Sequence, residues 1–134
     1  MSAASSSANM ASAALSTGDQ VPYSMREVYR GKSVFCTGCT GLVGKVLLEK
    51  FLRCLPGVKR IYILVRPKKD VKNIQDRVSR EILDSKIMDR LKKEMGYENF
   101  MKFAKSKLYA IAGDVENADI LQCPPEEAEM LKNE

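Results

Sequence analysis

A glycine-rich turn constrains the fold of this chain more than any other feature. Gly38, Gly41 and Gly44 close a short β-favouring run, residues 33–36, and open an apolar segment with helical spacing, residues 42–55. Residues without a Cβ let the main chain adopt unusual dihedral angles and touch a bound phosphate. The helix that follows offers free N–H groups and the positive end of its dipole. The turn therefore predicts a strand–loop–helix unit that binds a phosphorylated ligand.

The rest of the chain continues the alternation of strand and helix. Two more β-favouring runs, residues 61–65 and 108–112, flank a charged segment with helical spacing, which we expect to be broken near Asp84 and Ser85. This order predicts an α/β fold, a partial doubly wound, Rossmann-type parallel sheet of about three strands. We expect residues 1–25, which are rich in Ser and Ala, to be a disordered tail, and residues 26–134 to be the N-terminal half of a dinucleotide-binding domain.

Three motifs should meet at one edge of this sheet. The glycine loop, Arg66 and Asp114 each follow the carboxyl end of a different strand, and ligands of doubly wound sheets bind at that end. The second strand also ends about 20 residues beyond the last glycine, as the dinucleotide fingerprint requires. The sequence therefore predicts a dinucleotide site at residues Thr37, Gly38, Cys39, Thr40, Gly41, Leu42, Val43, Gly44, Arg66 and Asp114.

The residue after the second strand indicates which dinucleotide is bound. An acidic residue there accepts hydrogen bonds from the ribose 2′-OH of NAD, whereas this chain has Arg66, with Lys68 and Lys69 close by. Because the guanidinium fork suits a phosphate, NADP(H) is the expected cofactor. A solvated strand end is the alternative for these cations. Asp114 has two interpretations as well: it can accept from the adenine amine or cap the turn after it.

Other ligand classes fit the sequence less well. The order Gly44-Lys45-Val46 lacks the hydroxyl of a Walker A motif, and a chain with no His has no His-based nucleophile or metal site. Cys36 and Cys39 have the spacing of a redox dithiol, which would leave the later glycines unexplained. No metal site is expected.

Composition narrows the partners and the location. The net charge is +5, but aromatic residues make up only 7% and Trp is absent, so we expect no nucleic acid partner. No apolar stretch approaches the roughly 20 residues of a membrane-spanning helix. Four cysteines without a preceding signal peptide predict free thiols and a cytoplasmic location. The open edge of a partial sheet predicts possible self-association.

Four segments together resemble the opening of the fatty acyl-CoA reductases, a family of the extended short-chain dehydrogenase/reductase group. These are residues 29–35, 37–50, 61–69 and 111–115. The resemblance implies an NADPH-binding loop at Gly38, Gly41 and Gly44, with Arg66 near the 2′-phosphate and Asp114 near adenine. It also implies an oxidoreductase family that reduces long-chain acyl-CoA to fatty alcohol through an aldehyde, and whose full-length members associate with peroxisomal or endoplasmic reticulum membranes.

The catalytic pair of that group is not in this sequence. None of the five tyrosines is followed four residues later by lysine, so the Tyr-x-x-x-Lys pair that would exchange a proton with the carbonyl oxygen is missing. Cys36 and Cys39 also stand where family members more often carry an aliphatic and a small residue. We therefore expect no catalytic residue here and a chain that is inactive alone. A non-catalytic NADP-sensing module stays open as the alternative.

Overall fold

The computed structural model describes residues 24–70 and 72–134. The predicted disordered tail lies outside the described residues except for its last two positions. Within the described residues there are six α-helices, a π-helical turn, Ser79–Leu83, and a 3-10 turn, Lys86–Met88; helices and strands are numbered in chain order. The elements are α1 (Met25–Tyr29), β1 (Ser33–Cys36), α2 (Leu42–Cys54), β2 (Arg60–Val65), α3 (Ile74–Val78), α4 (Asp89–Met95), α5 (Tyr97–Lys107), β3 (Leu108–Ala112) and α6 (Pro125–Lys132).

The three strands form one parallel sheet with the order β1-β2-β3. Cys36 lies opposite Ile63 in the first pair, and Val65 lies opposite Ala112 in the second. Parallel strands joined by helical connections confirm the predicted partial Rossmann-type α/β fold. The register brings the carboxyl ends of all three strands to one edge.

The two faces of the sheet are covered unequally. The larger core lies on the face that packs against the helices α2 to α5, with Leu48, Ile82, Met88 and Phe100 almost fully buried. On the other face, Tyr62 and Ile111 pack against the partly buried side chains of α6 and of the segment before it. Because apolar residues of β2 are buried on both faces, its unbroken apolar run is typical of a central parallel strand.

The apolar stripe of α2 is only partly covered. Helical spacing predicts that Val43, Leu47 and Phe51 face the core, but Val43 is 80% exposed and Leu47 is 44% exposed. Leu48 and Leu52 occupy the buried face instead. The stripe is therefore wide enough for two surfaces, and the described residues cover one of them.

The two edges of the sheet also differ. The side chain of Gln75, in α3, donates to the carbonyl oxygen of Ala110 at 3.0 Å and accepts from its N–H at 3.2 Å, so it takes the place of a neighbouring strand on β3. Among the described residues, no strand pairs with the outer edge of β1. No helix in this part of the chain is long and apolar enough to cross a membrane.

Candidate functional site

In the loop between β1 and α2, the backbone requires glycine at two positions, Gly38 and Gly44. Gly38 has φ +69°, a left-handed conformation that favours glycine, and its carbonyl oxygen accepts from the N–H of Gly41 at 3.3 Å. A Cβ on Gly44 would lie 2.5 Å from the Cα of Cys39 and closer still to the carbonyl oxygen of Gly38. The first turn of α2 therefore packs directly on the main chain of the loop.

The N-terminus of α2 is available to a ligand. Gly41 is the N-cap residue and no side chain caps the helix, so its first N–H groups lack both an intrahelical and a side-chain acceptor. The first turn contains no acidic residue that would compete with an anion. With the helix dipole, this end attracts negative charge, and the turn leaves an open cradle at Gly38, where a Cβ would meet nothing within 4 Å and a ligand can approach the main chain closely.

A cavity of about 410 Å³ opens beside the loop at the carboxyl ends of the strands. It is lined by Thr37, Gly38, Thr40, Leu64, Arg66, Arg77, Gly113, Asp114 and Val115. The predicted meeting of three motifs is thus observed, because the loop, Arg66 and Asp114 share this cavity. The other five predicted positions, which build the turn itself and the start of α2, do not line it: Cys39, Gly41, Leu42, Val43 and Gly44.

Arg66 lies at the rim of the cavity and holds two carboxylates. Its Nε lies 3.3 Å from Oδ1 of Asp114, and its Nη2 lies 3.0 Å from Oε1 of Glu116. The Arg66 side chain is 59% exposed, so both ion pairs are largely solvated. Exposed pairs of this kind contribute about 0–1 kcal/mol each, which a better partner can replace.

Asp114 caps the turn that follows it, which is one of the two roles that the sequence allowed for this residue. Its Oδ1 accepts from the N–H of Glu116 at 3.1 Å, which is an Asx turn, while the same oxygen faces Arg66. Before it, a Cβ on Gly113 would lie 2.5 Å from Cδ1 of Leu64 and closer to the carbonyl oxygen of Ile120. The returning chain therefore crosses directly over the end of β3 and shapes this side of the cavity.

Arg77 is a cavity residue that the sequence reasoning missed. It is 6% exposed; its Nη1 donates to the carbonyl oxygen of Arg66, and its Nε lies 2.9 Å from Oε1 of Glu81. The hydrogen bond from Arg77 lowers the pKa of Glu81. Lys68, expected to add charge beside Arg66, lies 3.4 Å from Glu81 instead. The sequence signal that could have pointed to Arg77 is its position as an arginine within the apolar helical spacing of α3.

The hydroxyls and thiols of the loop differ in their surroundings. Among the described residues, the hydroxyls of Thr37 and Thr40 make no hydrogen bond to protein, although both residues line the cavity. The thiols of Cys36 and Cys39 are free and buried, and Sγ of Cys39 donates to the carbonyl oxygen of Thr37 at 3.9 Å. In the part of the chain that the structure describes, no group of three His, Cys, Asp or Glu side chains could hold a metal ion.

Comparison with known proteins identifies the family. A family model of an NAD-binding domain described as "Male sterility protein" matches residues 36–133. The chain is 52% identical over 71 residues to fatty acyl-CoA reductase 1 of Mus musculus, an alignment covering 53% of this chain and 13% of that protein.

Two further relatives agree with this match. Fatty acyl-CoA reductase 2 of Bos taurus is 38% identical over 105 residues, covering 78% of this chain and 19% of that protein. Fatty acyl-CoA reductase 2 of Homo sapiens is 53% identical over 64 residues, covering 48% of this chain and 12% of that protein. The alignments therefore span less than a fifth of the relatives' length. The cradle, the free helix end and the matched domain all fit a nicotinamide dinucleotide, and the chain belongs to the fatty acyl-CoA reductase family through its NAD-binding domain.

Proposed function

We propose that this chain is the NADPH-binding portion of a fatty acyl-CoA reductase and that it prefers NADP(H) to NAD(H). The observation that carries the proposal is the position of Arg66 on the rim of a cavity that is also lined by Thr37, Gly38 and Thr40, the loop residues that lead into the free N-terminus of α2. One end of the cavity thus suits a pyrophosphate and the other suits a second phosphate. NADPH, once bound, supplies a hydride to the acyl substrate.

Each predicted site residue has a part in this proposal. The main chain of residues 37–44 would hold the pyrophosphate, since its N–H groups lie in the loop and in the first turn of α2. The hydroxyls of Thr37 and Thr40, which make no hydrogen bond within residues 24–70 and 72–134, would be available to the cofactor. Arg66 would bind the 2′-phosphate, and Asp114 would accept from the adenine amine with the carboxylate oxygen that the Asx turn leaves unused.

The charges around Arg66 decide whether a phosphate can compete for it. Asp114 and Glu116 already lie within ion-pair distance, so a phosphate must replace or share these partners. Exposed carboxylate pairs contribute about 0–1 kcal/mol, whereas hydrogen bonds to charged groups contribute about 1.5–3 kcal/mol. The balance favours the phosphate. In addition, Arg77 binds the carbonyl oxygen of Arg66 and so limits the movement of its main chain.

Titration of NADPH and NADH against the folded chain tests the cofactor preference. We expect Arg66→Ala to weaken NADPH binding by roughly 10- to 100-fold, which corresponds to the loss of a charge-assisted contact, and to change NADH binding little. Arg90→Ala is the matched control, because Arg90 is an exposed arginine of α4 paired with Glu94 and does not line the cavity. Equal affinities of the parent chain for NADPH and NADH would contradict the preference.

The complete reaction requires residues beyond those in this sequence. We propose that the chain binds the reductant but does not reduce acyl-CoA alone, because no tyrosine is followed by lysine at the catalytic spacing. Mixing the chain with NADPH and a long-chain acyl-CoA should produce no NADPH oxidation, and turnover would refute this. A non-catalytic NADP-sensing module has the same site; a reading frame that continues downstream into a Tyr-x-x-x-Lys segment would favour the reductase.

The uncovered edge of β1 supports a proposal about assembly. Gln75 occupies the edge of β3, whereas the outer edge of β1 has no partner strand among the described residues, and Phe35 beside it is 45% exposed. We propose that a second copy of this chain pairs there, β1 against β1 about a two-fold axis. Sedimentation velocity over a range of concentrations should show a dimer that Phe35→Lys weakens. A parent chain that stays monomeric at every concentration would refute it.

The location of the chain stays a prediction. The four cysteines are free thiols in the structure, as a reducing compartment such as the cytoplasm allows. Fractionation of cells that express the tagged chain would test it, and recovery in a secretory fraction would be the contrary result.

A further inference from the structure

Two of the four thiols lie together under the glycine loop. Cys36 ends β1 and Cys39 follows Gly38 in the turn, and both side chains are buried in the same core cluster, where each thiol shifts the pKa of the other. Cys54 lies at the far end of α2 and Cys123 lies against α6 on the other face of the sheet. The close pair therefore coincides with the loop that builds the site.

The surroundings make the two thiols unequal. Its interaction with the Cys39 thiol lowers the pKa of Cys36 to about 7, which favours the thiolate form of Cys36. The same contact, with burial, raises the pKa of Cys39, which therefore keeps its proton. The thiolate is the nucleophilic form of cysteine, so Cys36 is the attacking group and Cys39 is placed to resolve it.

We propose that Cys36 and Cys39 are a peroxide-sensitive dithiol, and that their oxidation to a disulfide weakens dinucleotide binding. The Cys36 thiolate attacks one oxygen of hydrogen peroxide; an S–O bond forms, the O–O bond breaks and hydroxide leaves. The Cys39 sulfur then attacks the Cys36 sulfur; the S–S bond forms, the S–O bond breaks, and the Cys39 proton leaves with the oxygen as water. Two thiols are oxidised by two electrons and peroxide is reduced to two waters.

Burial selects the oxidant. Cys36 is 9% exposed and Cys39 is 1% exposed, so the active site of a protein oxidoreductase cannot reach the pair, whereas peroxide is comparable in size with two water molecules. This separates the proposal from a dithiol enzyme that acts on other proteins, for which an exposed thiolate is needed. Oxidation at this site therefore changes this chain itself and not another protein.

The loop has no room to absorb the new bond. A disulfide holds its sulfur atoms about 2.05 Å apart, well inside the contact distance of two free thiols, so Cys36 and Cys39 must move towards each other. The Cα of Cys39 already lies against Gly44 so closely that a single Cβ cannot fit between them. Any shift of Cys39 therefore displaces the first turn of α2 or the carbonyl of Gly38. The loop and the first turn of α2 carry the N–H groups that the proposed function assigns to the pyrophosphate, and the effect on affinity rests on that proposal.

Linkage makes the effect reciprocal. If the disulfide lowers the affinity for the dinucleotide, then the bound dinucleotide must disfavour the disulfide by the same factor. We therefore expect NADPH at saturating concentration to protect the pair from peroxide. This couples the state of the thiols to the supply of reduced cofactor.

The test uses the full chain with Cys54→Ser and Cys123→Ser, which leaves only the proposed pair. After peroxide treatment, we expect a mass decrease of about 2 Da, loss of both alkylatable thiols, and NADPH affinity reduced at least tenfold and restored by dithiothreitol. Adding Cys39→Ala gives the control, because oxidation then cannot form the disulfide. Cys36→Val is a second control that keeps an apolar side chain at the end of β1.

Each outcome bears on a separate claim. Thiols that stay alkylatable, or that oxidise singly to sulfinic acid, would overturn the dithiol, and a disulfide with unchanged NADPH affinity would overturn its effect on the loop. Mass and alkylation report on the disulfide whether or not the chain binds a dinucleotide. A reduced chain that binds neither NADPH nor NADH would refute the proposed function, and with it the coupling, while the mass result would still decide the chemistry.

Discussion

Substituting alanine for Gly44 tests whether the close contact between loop and helix shapes the site. The new Cβ would lie 2.5 Å from the Cα of Cys39, whereas ordinary contacts begin near 3.4 Å. Main-chain atoms cannot rotate away as a side chain can, so the loop and the first turn of α2 must separate by about 1 Å. The substitution therefore probes the backbone of the proposed pyrophosphate site directly.

The expected magnitude combines two opposing effects. Adding a methyl group to a closely packed site costs about 1–3 kcal/mol. Replacing glycine by alanine in a helix recovers about 0.5–1 kcal/mol of backbone entropy. We therefore expect Gly44→Ala to lower the free energy of unfolding by about 1–2 kcal/mol. With a urea m-value of about 2 kcal/mol/M, the middle of the usual range, the unfolding midpoint should fall by about 0.5–1 M.

Urea unfolding followed by far-ultraviolet circular dichroism measures this change. Gly57→Ala is the matched control, since a Cβ there makes ordinary contacts with Arg30, at 3.6 Å from its Cγ and 3.8 Å from its Cα and Cβ, and the residue has no positive φ. The control should be neutral or slightly stabilised, because alanine restricts the unfolded chain. If Gly44→Ala were as stable as the parent, or if both variants lost the same stability, the contact could not have the role given to it here.

Three further predictions concern the residues around the cavity. Arg77→Met should lower the free energy of unfolding by about 1–3 kcal/mol, because the carbonyl of Arg66 and the carboxylate of Glu81 lose their buried donor. In the same urea titration, the control Arg90→Met removes an exposed ion pair and should cost about 0–1 kcal/mol. The lowered pKa of Glu81 stabilises the fold above the unfolded pKa of about 4.3, so stability should fall as acid titration passes through the lower folded value, and less steeply in Arg77→Met. Gly113→Ala should destabilise the fold by about 1–3 kcal/mol, measured by thermal unfolding, because its Cβ would overlap the carbonyl of Ile120. An unaffected midpoint in any of these would contradict the corresponding contact.

Local signals in the sequence were sufficient to predict the strands and the meeting point of the motifs. β1 and β3 have the predicted bounds, because each is a short β-favouring run that stops at a turn. In a parallel sheet the carboxyl ends must share an edge, so the positions of Gly38, Arg66 and Asp114 followed from the order of the elements. These inferences needed no knowledge of side-chain packing.

The contacts that the sequence could not predict join distant residues or depend on what covers a surface. Arg77 binds a main-chain oxygen 11 residues away, and main-chain acceptors leave no trace in residue identity. Glu116 reaches Arg66 across 50 residues through a turn whose path depends on Gly113. Helical spacing predicted an apolar stripe on α2, but spacing cannot tell which part of a wide stripe is covered.

Among the described residues, part of the apolar stripe of α2 and the outer edge of β1 both lack a covering partner. Val43 and Phe35 are exposed apolar side chains on the two elements that flank the glycine loop, whereas the opposite end of the sheet is closed by Gln75 and the helices after β2. Exposed apolar surface beside an open strand edge is a site of association. Because α2 and β1 also hold the loop in place, whatever covers them stabilises the conformation that binds the dinucleotide. Affinity for NADPH should therefore rise when that surface is covered, and the dimerisation experiment and the cofactor titration are linked through the same two elements.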